Sequence, residues 1–252
     1  MTKFSVCIDA VFQNRNIAET FHSLNSIGIN SVEFWSWWDK DLELLYDLTK
    51  DHNINIVCFC TKFVSLTDSN FHEEYLDGLR ESIDAAKRLN CKMLITQTGN
   101  ELDSISRSEQ NSNIIDGLKK CKKYLEESDI TLLIEPLNTI YDHIGYYLWS
   151  SKECVSIIHE LESNSIKMLY DIYHQQIMEG DILNTIISNL DVIGHIHCAG
   201  HPGRNELNLG EINYSYVFNY LVNAGYNKHF GLEYFPKNKP ESFLNELYHQ
   251  YN

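Results

Sequence analysis

Short apolar segments rich in β-branched residues alternate with longer amphipathic segments along the whole chain. Eight of the short segments have the length and composition of buried strands. They span residues 4–9, 31–35, 54–60, 92–97, 131–135, 167–171, 192–197 and 229–233. Helical periodicity is clearest at 71–89, where charged residues lie opposite an apolar face. Similar patterns cover 114–125, 152–161 and 214–224.

This alternation of strand and helix predicts a parallel sheet. Eight such units in 252 residues match the usual size of a (β/α)8 TIM barrel. No linker or low-complexity tract divides the chain, so we expect an α/β fold with one domain over residues 1–252. A doubly wound open sheet is the alternative. It usually has fewer strands and a glycine-rich turn after the first one, and residues 9–13 contain no glycine.

The net charge, the apolar runs and the cysteines restrict which kinds of molecule the protein is expected to bind and where it is expected to occur. The net charge is −15, which repels polyphosphate and disfavours nucleic-acid binding. No apolar run approaches the roughly 18 residues of a membrane span, and the N-terminus lacks the pattern of a signal peptide. The seven cysteines are scattered and do not form a disulfide framework. We therefore expect a soluble cytoplasmic protein that binds a small molecule and neither nucleic acid nor membrane.

Ionisable residues end the last four predicted strands: Glu135, Asp171, His197 and Glu233. In a parallel barrel these strand ends meet at one mouth, where the active sites of such barrels lie. Three carboxylates close together repel one another, and a divalent cation removes that penalty. A mixed set of oxygen and nitrogen ligands suits Mg²⁺, Mn²⁺ or Co²⁺. Any one of these residues alone could be a helix cap or a surface pair, but four at matching positions predict a metal site.

Three further polar residues accompany these strands. His174 follows the sixth strand, in a predicted loop, and can hydrogen-bond a substrate oxygen or be an ordinary exposed histidine. Arg204 follows the seventh strand and can bind the carboxylate or hydroxyl of a small anion, or form a surface ion pair with Glu206. His195 shares a strand face with His197 one layer deeper, and we interpret it as a hydrogen-bonded core histidine.

Several motifs resemble those of the hydroxypyruvate isomerase family, part of the xylose-isomerase-like TIM-barrel superfamily. They are IEPLN at 134–138, DIYHQQIMEGD at 171–181, GHIH at 194–197, GEINY at 210–214 and GLEY at 231–234.

The resemblance implies specific roles for residues of this chain. A divalent metal would be held by Glu135, Asp171, His197 and Glu233. Glu135 and Glu233 would also form the catalytic acid/base pair, and His174 and Arg204 would bind the substrate. The implied activity is an intramolecular oxidoreductase that converts hydroxypyruvate to tartronate semialdehyde, or acts similarly on a related 2-oxo acid. The proton would move through a metal-stabilised enediolate. Relatives often associate, but no feature of the sequence marks an interface, so the choice between a monomer and a homo-oligomer stays open.

One ligand position departs from the family pattern. Hydroxypyruvate isomerases typically carry Gln where this chain has His197, whereas the related ketose 3-epimerases carry His. A ketose 3-epimerase or sugar isomerase is therefore the alternative activity.

An endonuclease-IV-like phosphodiesterase would need more His ligands and a basic DNA track, which the net charge of −15 opposes. A non-catalytic sugar- or metal-binding barrel is the alternative from a different class, since a fold by itself does not prove activity.

Overall fold

The computed structural model describes residues 2–251, in which eight parallel strands close into one barrel in sequence order. The strands are β1 (Lys3–Cys7), β2 (Ser31–Phe34), β3 (Asn55–Cys60), β4 (Met93–Thr96), β5 (Thr131–Ile134), β6 (Ile166–Asp171), β7 (Ile193–Cys198) and β8 (His229–Leu232). Pairing between β1 and β8 closes the barrel. The prediction of a single-domain (β/α)8 TIM barrel is confirmed.

Helices follow the strands around the outside of the barrel. Those of residues 2–251 are α1 (Ile8–Val11), α2 (Ile17–Ile27), α3 (Leu42–Asp51), α4 (His72–Arg88), α5 (Arg107–Ser128), α6 (Ser151–Leu161), α7 (Ile172–Met178), α8 (Ile182–Ser188), α9 (Tyr214–Asn223) and α10 (Pro240–Tyr251). A 3₁₀ turn at Ser69–Phe71 precedes α4. None of these helices combines the length and the apolar character that a membrane crossing requires.

The predicted helix at 114–125 covers only the C-terminal part of α5. The first turns of α5 are polar and carry little apolar periodicity, so the pattern missed them. The start of α5 is instead marked by Ser106, whose side chain accepts a hydrogen bond from the backbone N–H of Glu109.

The loop predicted around His174 is wrong. The last residue of β6, Asp171, accepts a hydrogen bond from the backbone N–H of His174 and caps α7. The chain therefore passes from strand to helix with no connecting loop. With only seven residues, α7 is too short to show a helical period of its own. A similar change occurs at the end of β1, where Asp9 lies in α1 rather than in the predicted strand.

Two apolar clusters build the core. The larger fills the layer between the barrel and the surrounding helices. The smaller includes Ile95, Leu133 and Leu169 and lies inside the barrel. Successive side chains of a strand point alternately into and out of the barrel. On β5, Leu133 therefore belongs to the inner cluster, while its neighbours Leu132 and Ile134 belong to the outer one. All seven cysteines are buried and form no disulfide, so they pack as small hydrophobic residues do.

Candidate active site

The four predicted metal ligands meet at the C-terminal end of the barrel. Asp171 and His197 lie opposite each other on β6 and β7, while Glu135 and Glu233 directly follow β5 and β8. One ligand atom from each side chain lies within 4.8 Å of one from every other, and all four side chains are buried. The predicted convergence of strand ends is therefore present in the structure. Their binding of a metal stays a prediction.

The charges of this cluster suit a cation. Burial raises the pKa of Glu135 to about 8, and the neighbouring Glu233 carboxylate adds to the shift. Burial also raises the pKa of Asp171. Nδ1 of His197 faces the cluster, 3.4 Å from Glu233 Oε2, but makes no hydrogen bond within the described chain. Carboxylates that are costly to ionise, beside a buried nitrogen without a hydrogen bond, fit a divalent metal.

Glu233 differs from Glu135 in being anchored at both oxygens. Arg204 Nη2 donates a hydrogen bond to Oε2 at 2.6 Å, and the indole N–H of Trp35 donates to Oε1. Burial opposes ionisation here, but Arg204 and His197 outweigh it and hold the pKa of Glu233 below its usual value. No hydrogen bond to the Glu135 carboxylate is found within residues 2–251, although His197 Nδ1 lies 3.8 Å away. The two glutamates therefore have different environments.

Arg204 is buried beside the cluster, and the alternative of a surface ion pair with Glu206 is wrong. Glu206 accepts hydrogen bonds from the backbone N–H groups of Lys237 and Asn238 instead. Arg204 adopts a left-handed backbone with φ 54°, which is uncommon for a residue other than glycine. Its carbonyl oxygen accepts a hydrogen bond from the Phe235 N–H at 2.7 Å, which ties the loop after β7 to the segment after β8.

His174 is completely buried, which excludes the alternative of an exposed loop histidine. Its Nδ1 lies 3.2 Å from the backbone N–H of Asn138 and accepts that proton. Burial, with the nearby Arg204 charge, holds the pKa of His174 well below its usual value, so the ring is neutral and its proton is on Nε2. Nε2 has no hydrogen-bond partner within the described residues. His174 therefore offers a spare donor.

Glu33 on β2 was given no role by the sequence, although it is completely enclosed in the structure. Its carboxylate lies 2.7 Å from Nε2 of both His195 and His197, one histidine at each oxygen. The interpretation of His195 as a hydrogen-bonded core histidine is confirmed. Burial opposes the charge of Glu33, but the two histidines keep its pKa well below the usual value. The sequence feature that could have revealed Glu33 is a carboxylate in the middle of an apolar strand, because a buried carboxylate requires a partner.

A cavity of about 440 Å³ opens onto this cluster. Its walls include the aromatic side chains of Trp35, Phe63 and Phe235, and Arg204 is the one Lys or Arg among its described lining residues. The volume and the mostly apolar wall with a few convergent polar groups are typical of small-molecule sites.

Fold and site together define a TIM barrel with a buried carboxylate–histidine cluster at the C-terminal ends of its strands. A family model described as xylose isomerase-like TIM barrel matches residues 21–247. Hydroxypyruvate isomerase of Escherichia coli is 30% identical over an alignment of 261 residues that covers 97% of both chains. The chain belongs to the xylose isomerase-like TIM-barrel family and, within it, to the hydroxypyruvate isomerase family.

Two further relatives cover nearly the whole chain. The 2-oxo-tetronate isomerase of Pectobacterium atrosepticum is 26% identical over 253 residues, 97% of this chain and 96% of its own. A crystal structure from Brucella melitensis, described as an AP endonuclease of family 2, is 27% identical and covers 100% of both chains with a TM-score of 0.94. The barrel and its connections are therefore shared with proteins of different names.

Proposed function

We propose that this protein is a divalent-metal-dependent isomerase of a small α-hydroxycarbonyl acid, namely hydroxypyruvate or a related 2-oxo acid. The similarity to hydroxypyruvate isomerase and 2-oxo-tetronate isomerase supports the substrate class. The observation that carries the proposal is the buried convergence of Glu135, Asp171, His197 and Glu233 beside one buried arginine. A barrel that bound only a sugar and no metal would have no need to bury three carboxylates against one another.

Glu135, Asp171, His197 and Glu233 would hold the cation, which we expect to be Mg²⁺, Mn²⁺ or Co²⁺. When bound, the cation supplies electrostatic stabilisation of the negative charge that develops on the substrate oxygens. The proton next to the carbonyl must then be removed and returned to the neighbouring carbon. Glu135 suits this transfer, because no hydrogen bond within residues 2–251 fixes its carboxylate and a bound cation would keep it ionised.

Arg204 and His174 would bind the substrate. Nε of Arg204 is buried and has no hydrogen-bond partner in the described chain, so the guanidinium retains a donor for a substrate carboxylate. The spare Nε2–H of His174 would donate to a substrate hydroxyl or carbonyl oxygen. Arg204 lines the same cavity as Glu135, His197 and Glu233, so a small acid there could contact both the guanidinium and the metal ligands, which favours an acidic substrate over a neutral sugar.

The ketose 3-epimerase alternative rests on His197. Epimerisation requires a second carboxylate to deliver a proton on the opposite face of the substrate. Glu233 is the candidate for that role, but hydrogen bonds from Trp35 and Arg204 hold both of its oxygens as acceptors. A carboxylate so anchored is a poor proton donor. The contrast between Glu135 and Glu233 therefore supports isomerisation over epimerisation.

The test is turnover by metal-stripped protein to which Mg²⁺, Mn²⁺ or Co²⁺ is returned. The substrate panel contains hydroxypyruvate, 2-oxo-tetronate, fructose, tagatose and ribulose. We expect conversion of the acids only, and only with metal. Glu160→Gln is the matched control for substitutions at the site, since Glu160 is exposed on α6 and distant from the barrel mouth. Conversion of the ketoses alone would replace this proposal with the epimerase.

Separate assays on the same metal-reconstituted protein test two other activities. Metal-dependent cleavage of DNA that contains abasic sites would indicate an endonuclease, which the net charge of −15 disfavours. Tight binding of a substrate with no exchange of its α-proton into deuterated solvent would indicate a binding protein.

A further inference from the structure

We propose that Glu33 is a positioning residue that orients His197 for the metal. It would hold the proton on Nε2 of the imidazole, so that Nδ1 is the nitrogen presented to the cation. This inference rests on the proposed function, because it concerns the same metal centre. It assigns a role to a residue that lies outside the ligand set and beneath it in the barrel.

The first observation is the hydrogen-bond geometry. Glu33 Oε2 lies 2.7 Å from His197 Nε2, and Glu33 Oε1 lies 2.7 Å from His195 Nε2. Ser5 Oγ also donates to Oε1. An ionised carboxylate only accepts hydrogen bonds, so each imidazole must donate from Nε2.

This contact determines which way the His197 ring faces. With Nε2 held by Glu33, the other ring nitrogen lies 3.4 Å from Glu233 Oε2 and 3.8 Å from Glu135 Oε1. Metal-binding histidines commonly donate their second ring N–H to a carboxylate, which fixes the ring and increases its basicity. Glu33, His197 and the cation would form such an arrangement across β2 and β7.

The second observation is the space that Gly231 leaves for this network. Gly231 on β8 is the strand neighbour of His197. A Cβ at position 231 would lie 2.6 Å from His197 Cδ2, 2.8 Å from Glu33 Oε1 and 2.8 Å from His195 Nε2. Any side chain there would displace all three groups. The glycine is therefore required by the close packing of the carboxylate and its two histidines.

The same residues also suggest a competing arrangement. Glu33, Cys58, His195 and His197 are a second buried group whose ligand atoms lie within 4.8 Å of one another. If that group bound its own cation, Glu33 would be a ligand and not a positioning residue. The existing hydrogen bonds already pair Glu33 with both histidines, so we favour the positioning role.

The test uses metal-stripped protein titrated with Co²⁺, followed by calorimetry and by the visible absorption of the bound ion. We expect wild-type protein to bind one Co²⁺ per chain. Glu33→Gln should weaken binding about 10–100-fold and alter the absorption spectrum. The reason is that a glutamine side chain has one acceptor oxygen for two histidine N–H groups, so one ring must turn or lose its partner.

Ser5→Ala is the matched control, because it removes a hydrogen bond to the same carboxylate and leaves both of its oxygens available to the histidines. It should lower thermal stability but leave Co²⁺ affinity and spectrum unchanged. Gly231→Ala changes no polar group and should still weaken Co²⁺ binding by displacing His197. It decides the question if Glu33→Gln does not fold, as judged by circular dichroism.

Wild-type affinity and spectrum in Glu33→Gln, or in Gly231→Ala where the former does not fold, would overturn the inference. So would two Co²⁺ per wild-type chain with one lost in Cys58→Ala. Wild-type protein that binds no divalent cation would instead overturn the proposed function. The two failures are thus distinguishable.

Discussion

Arg204 Nη2 donates a hydrogen bond to Glu233 Oε2 over 2.6 Å, and both side chains are buried. The guanidinium of Arg204 is therefore paired with a predicted metal ligand. Burial opposes the charge of Arg204, but Glu233 and Asp171 raise its pKa, so the guanidinium remains charged. A substrate carboxylate bound here would lie directly beside the metal ligands.

Arg204→Ala should raise KM for hydroxypyruvate far more than KM for a neutral ketose. The loss of a charged hydrogen bond corresponds to about 1.5–3 kcal/mol, or roughly 10–150-fold. Steady-state kinetics on both substrate types measures the difference. Arg204→Lys is the control, because it keeps the charge and loses the planar fork of donors. Equal effects of Arg204→Ala on both substrates would remove the carboxylate role.

Glu135→Gln and Glu233→Gln should each abolish turnover and leave the fold intact. Glu135→Gln removes the proposed proton-transfer group, which typically lowers kcat by about 10²–10⁴-fold. Glu233→Gln removes a proposed metal ligand and the carboxylate partner of Arg204. Turnover numbers and circular dichroism of both variants, beside Glu160→Gln, provide the measurement. Near-wild-type kcat in Glu135→Gln would contradict its role in proton transfer, and near-wild-type kcat in Glu233→Gln would contradict its role as a metal ligand.

His174→Gln should retain more activity than His174→Asn. The amide nitrogen of glutamine reaches the position of Nε2, whereas that of asparagine reaches only Nδ1, which in this protein accepts from Asn138. We expect a modest rise in KM for the first variant and a large one for the second. Equal KM values, measured on the same acid, would mean that the Nε2–H of His174 does not contact substrate.

His197→Gln should keep metal binding, because an amide supplies one N–H for Glu33 and one oxygen for the cation. His197→Leu should lose both contacts and bind metal much more weakly. Titration with Mn²⁺ compares the variants with wild-type protein. Complete loss of metal in His197→Gln would mean that the imidazole nitrogen itself is required.

The metal-free protein should lose stability as pH rises towards about 8. Folding raises the pKa of Glu135 from 4.5 to about 8, so the folded state binds more protons than the unfolded state between these values. The contribution of the Glu135 carboxyl to the free energy of unfolding is fully present below pH 4.5 and is lost as pH rises through the folded pKa. Over this range the free energy of unfolding falls by at most about 1.4 kcal/mol per pH unit.

Chemical denaturation of metal-free protein between pH 5 and pH 9, in roughly unit steps, isolates this contribution when wild-type protein is compared with Glu135→Gln. The difference between the two stability curves should widen with rising pH, and added Mn²⁺ should remove the wild-type loss. Parallel curves would show that the Glu135 carboxyl is not responsible.

The alternation of eight apolar strands with amphipathic helices was sufficient to predict the barrel, since only one common architecture repeats that unit eight times in this length. The same logic predicted that Glu135, Asp171, His197 and Glu233 would meet. Parallel strands in a barrel bring their C-terminal ends to one mouth, so residues at strand ends converge wherever they lie in the sequence. Local pattern and topology together determined the candidate site.

The partners of the buried polar groups were decided only by tertiary structure. Arg204 is two residues from Glu206 but pairs with Glu233, and Glu33 pairs with His195 and His197, more than 160 positions away. Burial makes an unpaired charge costly, so each charged group takes whichever partner the packed barrel places beside it. Sequence neighbours carry no information about that choice, because strands β2, β7 and β8 come together only when the barrel closes.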